Sequence, residues 1–207
     1  MSLYEYYETY WESDAPPPLA DPLSSRRLSL LRSVLRADDR RILDAGSGSG
    51  WLVGQLAGDG AEATGIDISK RAIELARECH PSASFIRHSV EELPWPIEER
   101  SQDVVTAFEV VEHLLRPRAL IEGACQTLRT GGHLAMSTPY HGRAKNVAVS
   151  LFAFDHHFAP EGDHIRFFTD AALRQLLTSN GFEVELIRHL GRFAPLWAGV
   201  FVWARKR

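Results

Sequence analysis

The chain has 207 residues, 44% hydrophobic and 24% charged, enough apolar material for one sizeable core and too much for wholesale disorder or a fibrous architecture. With 23 basic and 27 acidic residues the net charge is −4, which lacks the strongly basic footprint of a nucleic-acid binder, so nucleic acid is not expected as a partner. No apolar run reaches the roughly 18 residues of a membrane span, residues 1–14 show neither the basic start nor the apolar stretch of a signal peptide, and Cys79 and Cys125 both fall in helical patterns; a cytoplasmic, reduced protein is expected.

Residues 1–23 read as an N-terminal arm, an aromatic helical segment with Tyr4, Tyr6, Tyr7, Tyr10 and Trp11 followed by a stiff spacer at Pro16, Pro17, Pro18 and Pro22. Residues 24–207 read as a single domain. Its first helix covers Ser24 to Arg36, with Leu28, Leu31, Val34 and Leu35 on the packed face and arginines on the other. Strands are predicted at Arg41–Asp44, Ala63–Ile68, Phe85–His88, Asp103–Phe108 and His133–Ser137, with helices at Gly50–Asp59, Ser69–His80 and Pro117–Leu128 between them. This alternation predicts right-handed crossovers and a doubly wound α/β fold, a mostly parallel sheet with helices on both faces. The rhythm breaks at Tyr140–Phe168, a stretch long enough to be a lid-like insertion. It resumes with a helix at Thr169–Asn180, capped by Gly181, and strands at Phe182–His189 and Gly199–Ala204.

Asp44, Gly46, Ser47, Gly48 and Gly50 lie between the first strand and its crossover helix, where glycines let the backbone approach a ligand at the carboxyl end of the sheet. A nicotinamide dinucleotide would call for G-x-G-x-x-G; here the pattern is G-x-G-x-G followed by Trp51. Asp67, at the end of the second strand, is placed to accept hydrogen bonds from a ribose diol.

The run Leu43 to Gly50, with Gly65-Ile66-Asp67, Glu91 to Pro94, Asp103-Val104-Val105, Leu128 to Gly132 and Asn180-Gly181-Phe182, resembles the class I S-adenosylmethionine-dependent methyltransferases over about residues 40 to 205. The resemblance implies a Rossmann-like seven-stranded sheet in which the 199–204 strand runs antiparallel. It also implies S-adenosylmethionine as cofactor, held by Asp44, Gly46, Ser47, Gly48, Gly50, Asp67, Ile68, Ser89, Val90, Glu91 and Phe108. One departure concerns adenine: many members carry an Asp soon after the third strand, whereas this chain has His88-Ser89-Val90-Glu91, which leaves Ser89, Glu91 or a backbone carbonyl for that contact.

After the fourth strand, Glu109, Glu112 and His113 stand at i, i+3 and i+4, a spacing that brings two carboxylates and an imidazole to one helical face. Three readings stay open: a divalent site for Mg²⁺, Mn²⁺ or Zn²⁺ on Glu109, Glu112 and His113; a general base at His113 oriented by Glu112; or a structural turn. A similar Glu-x-x-Glu-His occurs in polyprenyl-dihydroxybenzoate and ubiquinol O-methyltransferases and in small-RNA 3′-end 2′-O-methyltransferases, where it binds metal. Many class I members keep only Glu-His without one. The stretch Asp163 to Thr169 resembles the segment that supplies a further ligand in the RNA enzymes, which makes His164 the partner expected for His113; His156 and His157 read as solvated loop residues. Tyr140 to Arg143 is placed to line an acceptor pocket. Arg143 and Lys145 precede an apolar run over 147–154, either a lid helix or a peripheral membrane contact. Together these residues predict methyl transfer to a hydroxyl of a small or lipid-linked acceptor (a quinone precursor, phenol or sugar). The alternatives are a non-catalytic S-adenosylmethionine-binding protein and an NAD(P)-dependent oxidoreductase.

Overall fold

A computed structural model describes residues 3–12, 21–154, 164–191 and 193–207. Pro16–Pro18, His156, His157 and Asp163 lie outside the described residues. Seven strands form one sheet: β1 (Arg41–Ala45), β2 (Glu62–Asp67), β3 (Ser84–Arg87), β4 (Gln102–Phe108), β5 (Leu128–Pro139), β6 (Phe182–Leu190) and β7 (Gly199–Lys206), in the order β3-β2-β1-β4-β5-β7-β6. β1 to β5 pair in parallel, and β7 is antiparallel to both β5 and β6, as the family resemblance implies. The chain leaves β1 towards β2 on one side and returns to β4 on the other. That reversal opens a crevice above the carboxyl ends of β1 and β4.

The helices are α1 (Leu3–Glu12), α2 (Ser24–Val34), α3 (Trp51–Gly58), α4 (Lys70–Cys79), α5 (Pro117–Thr127), α6 (Arg143–Phe152) and α7 (Asp170–Thr178). Strand alternation sends neighbouring residues to opposite layers. Ile42, Val104 and Phe201 pack with Leu28, Leu31, Leu52, Leu56 and Ile73 from α2, α3 and α4, whereas Leu43, Val105 and Leu134 pack with Leu120, Ile121, Leu173 and Leu177 from α5 and α7. Each such buried side chain contributes about 1.5–3 kcal/mol. Local signals set the helix starts: Ser69 Oγ accepts from Ala72 N (3.1 Å), Thr169 Oγ1 from Ala172 N (3.2 Å), and Pro117 opens α5.

Most boundaries differ from expectation by a residue or two, and two differences have a clear local cause. α2 ends at Val34 because Leu35 turns extended, and β5 begins at Leu128, before Gly131 at φ +76° and a register shift opposite Gln102–Val104. The bulge breaks the alternation from which a strand start is read. No described helix is long and apolar enough to cross a membrane.

Candidate active site

The loop from β1 into α3 is built on left-handed backbone at Gly46 (φ +82°), Gly48 (+50°) and Gly50 (+75°). A Cβ at Gly46 would stand 2.5 Å from Val110 Cγ2, and one at Gly50 2.6 Å from Phe85 Cζ. Gly46 N and Ser47 N donate to Ile66 O, tying the loop to β2. Asp67 fixes its far side, Oδ2 accepting from Gly48 N and Oδ1 from Ser69 N, both at 2.9 Å. Burial pushes the Asp67 carboxyl up, although these N–H donors oppose it. Register places Asp44 beside Thr106, whose hydroxyl donates to Asp44 Oδ1 at 2.6 Å. Burial raises Asp44 to about 7 despite that bond, and the charge of Asp67 adds to the rise.

Two cavities open on this loop. The first, about 210 Å³, is lined by Gly46, Gly48, Asp67, Ile68, Ser89 and Val90 from the sheet side, and by Tyr7, Tyr10 and Trp11 of α1. The second, about 240 Å³, is lined by Asp44, Gly46, Ser47, Gly48, Trp51 and Phe108, with Arg27 and again Tyr10 and Trp11. Glu91 turns elsewhere: its carboxylate accepts from Arg116 N and its carbonyl from Arg116 Nη2. Gly50 serves packing against Phe85 and Ala76.

Arg27 was not predicted for the site. Arg27, 2% exposed, pairs through Nη1 with Asp21 (2.5 Å) and through Nη2 with Glu109 (3.0 Å), while Nε has no partner among the described residues. The signal was present: Arg27, Leu31 and Val34 fall at i, i+4 and i+7, so an arginine sits on the apolar stripe of α2.

At the end of β4, Glu109 adopts φ +55°, its N–H donating to Ser137 O (3.0 Å) and its carboxylate accepting from Ser137 Oγ (2.9 Å). The following turn, Val111–His113, is 3₁₀. Glu109 therefore precedes the turn instead of sharing its face, and the three groups whose ligand atoms converge within 4.8 Å are Glu112, His113 and His164. Glu112 is 0% exposed, and neither carboxylate oxygen makes a hydrogen bond of good geometry among the described residues, although its own backbone N–H and the Thr138 hydroxyl lie near enough to favour the anion weakly. Burial raises its carboxyl well above the usual range, and the charge of Glu109 raises it further. Glu109 is raised by burial too, against the opposing Arg27. His113 Nε2 lies 4.0 Å from Glu112 Oε1.

Glu112 O accepts from Ile165 N and Arg166 N, and Arg166 Nε donates to Leu114 O at 2.7 Å, latching the end of the insertion onto the turn. A third, open groove reaches the cluster through Arg26, Arg27, Gly191 and Ala198; it shares Tyr10, Glu109 and His113 with the first cavity. Of the 140–143 stretch, His141 is buried with Nδ1 near Asn146 Oδ1 (3.2 Å), and Tyr140 packs on His189 and Trp197.

A glycine loop on β1, a carboxylate at the end of β2 and an antiparallel seventh strand are common to many nucleoside-binding proteins; comparison with known proteins separates them. A model of the family described as "methyltransferase domain" matches residues 19–187. The chain belongs to this family. Among curated relatives of this methyltransferase is a ubiquinone biosynthesis O-methyltransferase from Alkalilimnicola ehrlichii, 39% identical over 154 residues, 71% of this chain and 61% of the relative. Another of the same name, from Xanthomonas euvesicatoria, is 30% identical over 183 residues, 85% of this chain and 76% of the relative. The methyltransferase thus spans less than two thirds of the first of these.

Its fold matches an S-adenosylmethionine-dependent methyltransferase from Mesorhizobium loti with TM-score 0.68 at 19% identity, covering 86% of this chain and 96% of that one. It also matches magnesium protoporphyrin IX methyltransferase from Synechocystis, solved with S-adenosylhomocysteine, with TM-score 0.69 at 16% identity, covering 99% and 94%.

Proposed function

We propose that the protein transfers the methyl group of S-adenosylmethionine to a hydroxyl of a small or lipid-linked acceptor, a phenol of the quinone-precursor type. The observation that carries this reading is the junction of the first cavity and the open groove at Tyr10, Glu109 and His113, where two ligands would face each other. Asp67, Ile68, Ser89 and Val90 would hold the nucleoside, with Asp67 able to accept from a ribose and Ser89 available to adenine. The second cavity would take the methionyl end, where Arg27 Nε, without a partner among the described residues, suits its carboxylate and Asp44 its ammonium.

A sulfonium is already activated, so the protein supplies alignment, exclusion of water and a proton acceptor. The acceptor oxygen would take the methyl group from the sulfonium, leaving S-adenosylhomocysteine, and His113, which lines both the first cavity and the groove, would take the hydroxyl proton. Glu112, His113 and His164 also form a donor set that fits a divalent cation. A fully buried carboxylate whose nearby donors do not offset its burial is costly as an anion unless a cation compensates it. Mg²⁺, Mn²⁺ or Zn²⁺ held there would lower the pKa of the acceptor hydroxyl. Two supports favour a lipid-linked phenol: the relatives' names, and the exposed apolar residues Val147, Leu151 and Phe152 of α6.

The test is calorimetry with S-adenosylhomocysteine and NADH, followed by transfer of labelled methyl from S-adenosylmethionine to short-chain prenylated catechols. Binding of the homocysteine compound and labelled ether product are expected. Binding of NADH alone, or label on amines but on no hydroxyl, defeats the reading.

A further inference from the structure

Glu8 ties α1 down over the cofactor loop. Glu8 Oε1 accepts from Lys70 N (2.6 Å) and Arg87 Nη2 (3.1 Å), and Oε2 from Ser69 Oγ and Arg71 N (both 3.1 Å). Four donors from the first turn of α4 and the end of β3 thus converge on a carboxylate about sixty positions earlier in the chain. Ser69 N in turn donates to Asp67, so the latch and the candidate ribose carboxylate share a residue. Tyr7, Tyr10 and Trp11 stand at i, i+3 and i+4 from Tyr7, and this spacing puts three rings on one helical face. That face forms the outer wall of the first cavity, with Trp11 Cζ2 3.0 Å from where a Cβ on Gly48 would lie. Tyr10 lines the open groove as well.

We infer that Glu8 is a positioning residue for cofactor binding: it docks α1 as the outer wall of the cofactor cavity, so α1 lifts to release S-adenosylhomocysteine and its return completes the acceptor groove at Tyr10. The inference rests on the reading of the first cavity as the nucleoside site. Glu8 touches neither reactant and acts through the rings that α1 carries.

The test measures the dissociation rate and affinity of S-adenosylhomocysteine for the full chain as wild type, Glu8→Ala, Glu8→Gln and Asp67→Ala. Glu8→Ala is expected to release the ligand about tenfold faster with a correspondingly higher Kd, the loss of one capping interaction. Glu8→Gln falls between, since its amide oxygen still accepts from one N–H. In turnover Glu8→Ala raises the cofactor KM without lowering kcat, a split that loss of general stability does not give.

A dissociation rate for Glu8→Ala within about twofold of wild type overturns the inference. Asp67→Ala isolates the underlying reading: unchanged affinity there removes the nucleoside assignment and the inference with it, whereas weakened affinity leaves the Glu8 result decisive. Should Glu8→Ala not fold, Trp11→Ala removes the ring over Gly48 while keeping the latch, and the same rise or its absence decides.

Discussion

The imidazoles of His113 and His164 meet edge to face with ring centroids 4.9 Å apart, although one belongs to the turn after β4 and the other to the end of the insertion. Two hydrogen bonds from Ile165 N and Arg166 N to Glu112 O hold that meeting in place, so the backbone of Glu112 positions the histidine while its buried carboxylate faces the same pair. His113→Ala is expected to lower kcat by about 10²-fold or more, the size of a lost proton acceptor or ligand, with S-adenosylhomocysteine affinity unchanged in calorimetry.

A divalent ion on this cluster has a separate signature. Added Mn²⁺ should raise the thermal midpoint of the wild type and leave that of His164→Ala where it was. Because the Glu112 carboxyl is raised well above its usual range, the ion has to displace a proton in the lower pH range, so the shift should grow as pH rises. An equal Mn²⁺ effect in both proteins would remove His164 from the site.

Asp44 gives the cofactor affinity a pH dependence of definite sign. Burial holds its carboxyl at about 7, so the unliganded protein carries a proton there below that pH and a negative charge above it. A cofactor whose ammonium and sulfonium are cationic favours the ionised form. Its Kd should fall as pH rises from about 6 to 8, with proton release on binding near pH 7. Calorimetry in buffers of different ionisation enthalpy reads that release, and Asp44→Asn should abolish both effects.

What the sequence made legible depended on periodicity and local chemistry. The order of strands and helices followed from alternation, and Asp44, Gly46, Gly48 and Asp67 came together because they end adjacent parallel strands, a placement topology imposes. The third member of the acid–histidine set resisted spacing. Glu109 takes φ +55° to reach Ser137 and Arg27, and no i, i+3, i+4 rule anticipates a residue that leaves the helical region. Arg27 was read as solvated because arginines surround it, although its place on the apolar stripe argued otherwise. The docking of α1 depends on Glu8 meeting Lys70 N and Arg71 N, a long-range capping pair with no periodic signal.

Among the loop glycines Gly50 separates packing from cofactor binding. Gly50→Ala forces an L side chain into φ +75° and into Phe85 Cζ and Ala76 Cβ, and is expected to destabilise the fold by about 2–4 kcal/mol. Gly60→Ala is the control: φ is +91° but nothing stands within 4 Å of the added Cβ, so conformational strain alone, about 1–2 kcal/mol, should appear in urea unfolding. Equal losses at both positions would mean that the Phe85 contact carries no weight.

The exposed face of α6 makes a prediction about where the acceptor is met. Lys145 Nζ donates to Tyr140 O at 2.7 Å and anchors the helix, which leaves Val147, Leu151 and Phe152 exposed at 60%, 70% and 86% on the outward side, with Arg143 at the base. An apolar face beside a cation suits shallow insertion among anionic headgroups. Each large side chain taken from water contributes about 1.5–3 kcal/mol. The double variant Leu151→Ser, Phe152→Ser should therefore bind vesicles of anionic phospholipid at least about 10²-fold more weakly in flotation. Both residues lie outside the cofactor cavities, so methyl transfer to a water-soluble catechol should be unaffected, and only transfer to a prenylated acceptor in vesicles should fall. Equal vesicle binding by variant and wild type would show that α6 serves as a lid, and the lipid-linked acceptor would lose its structural support.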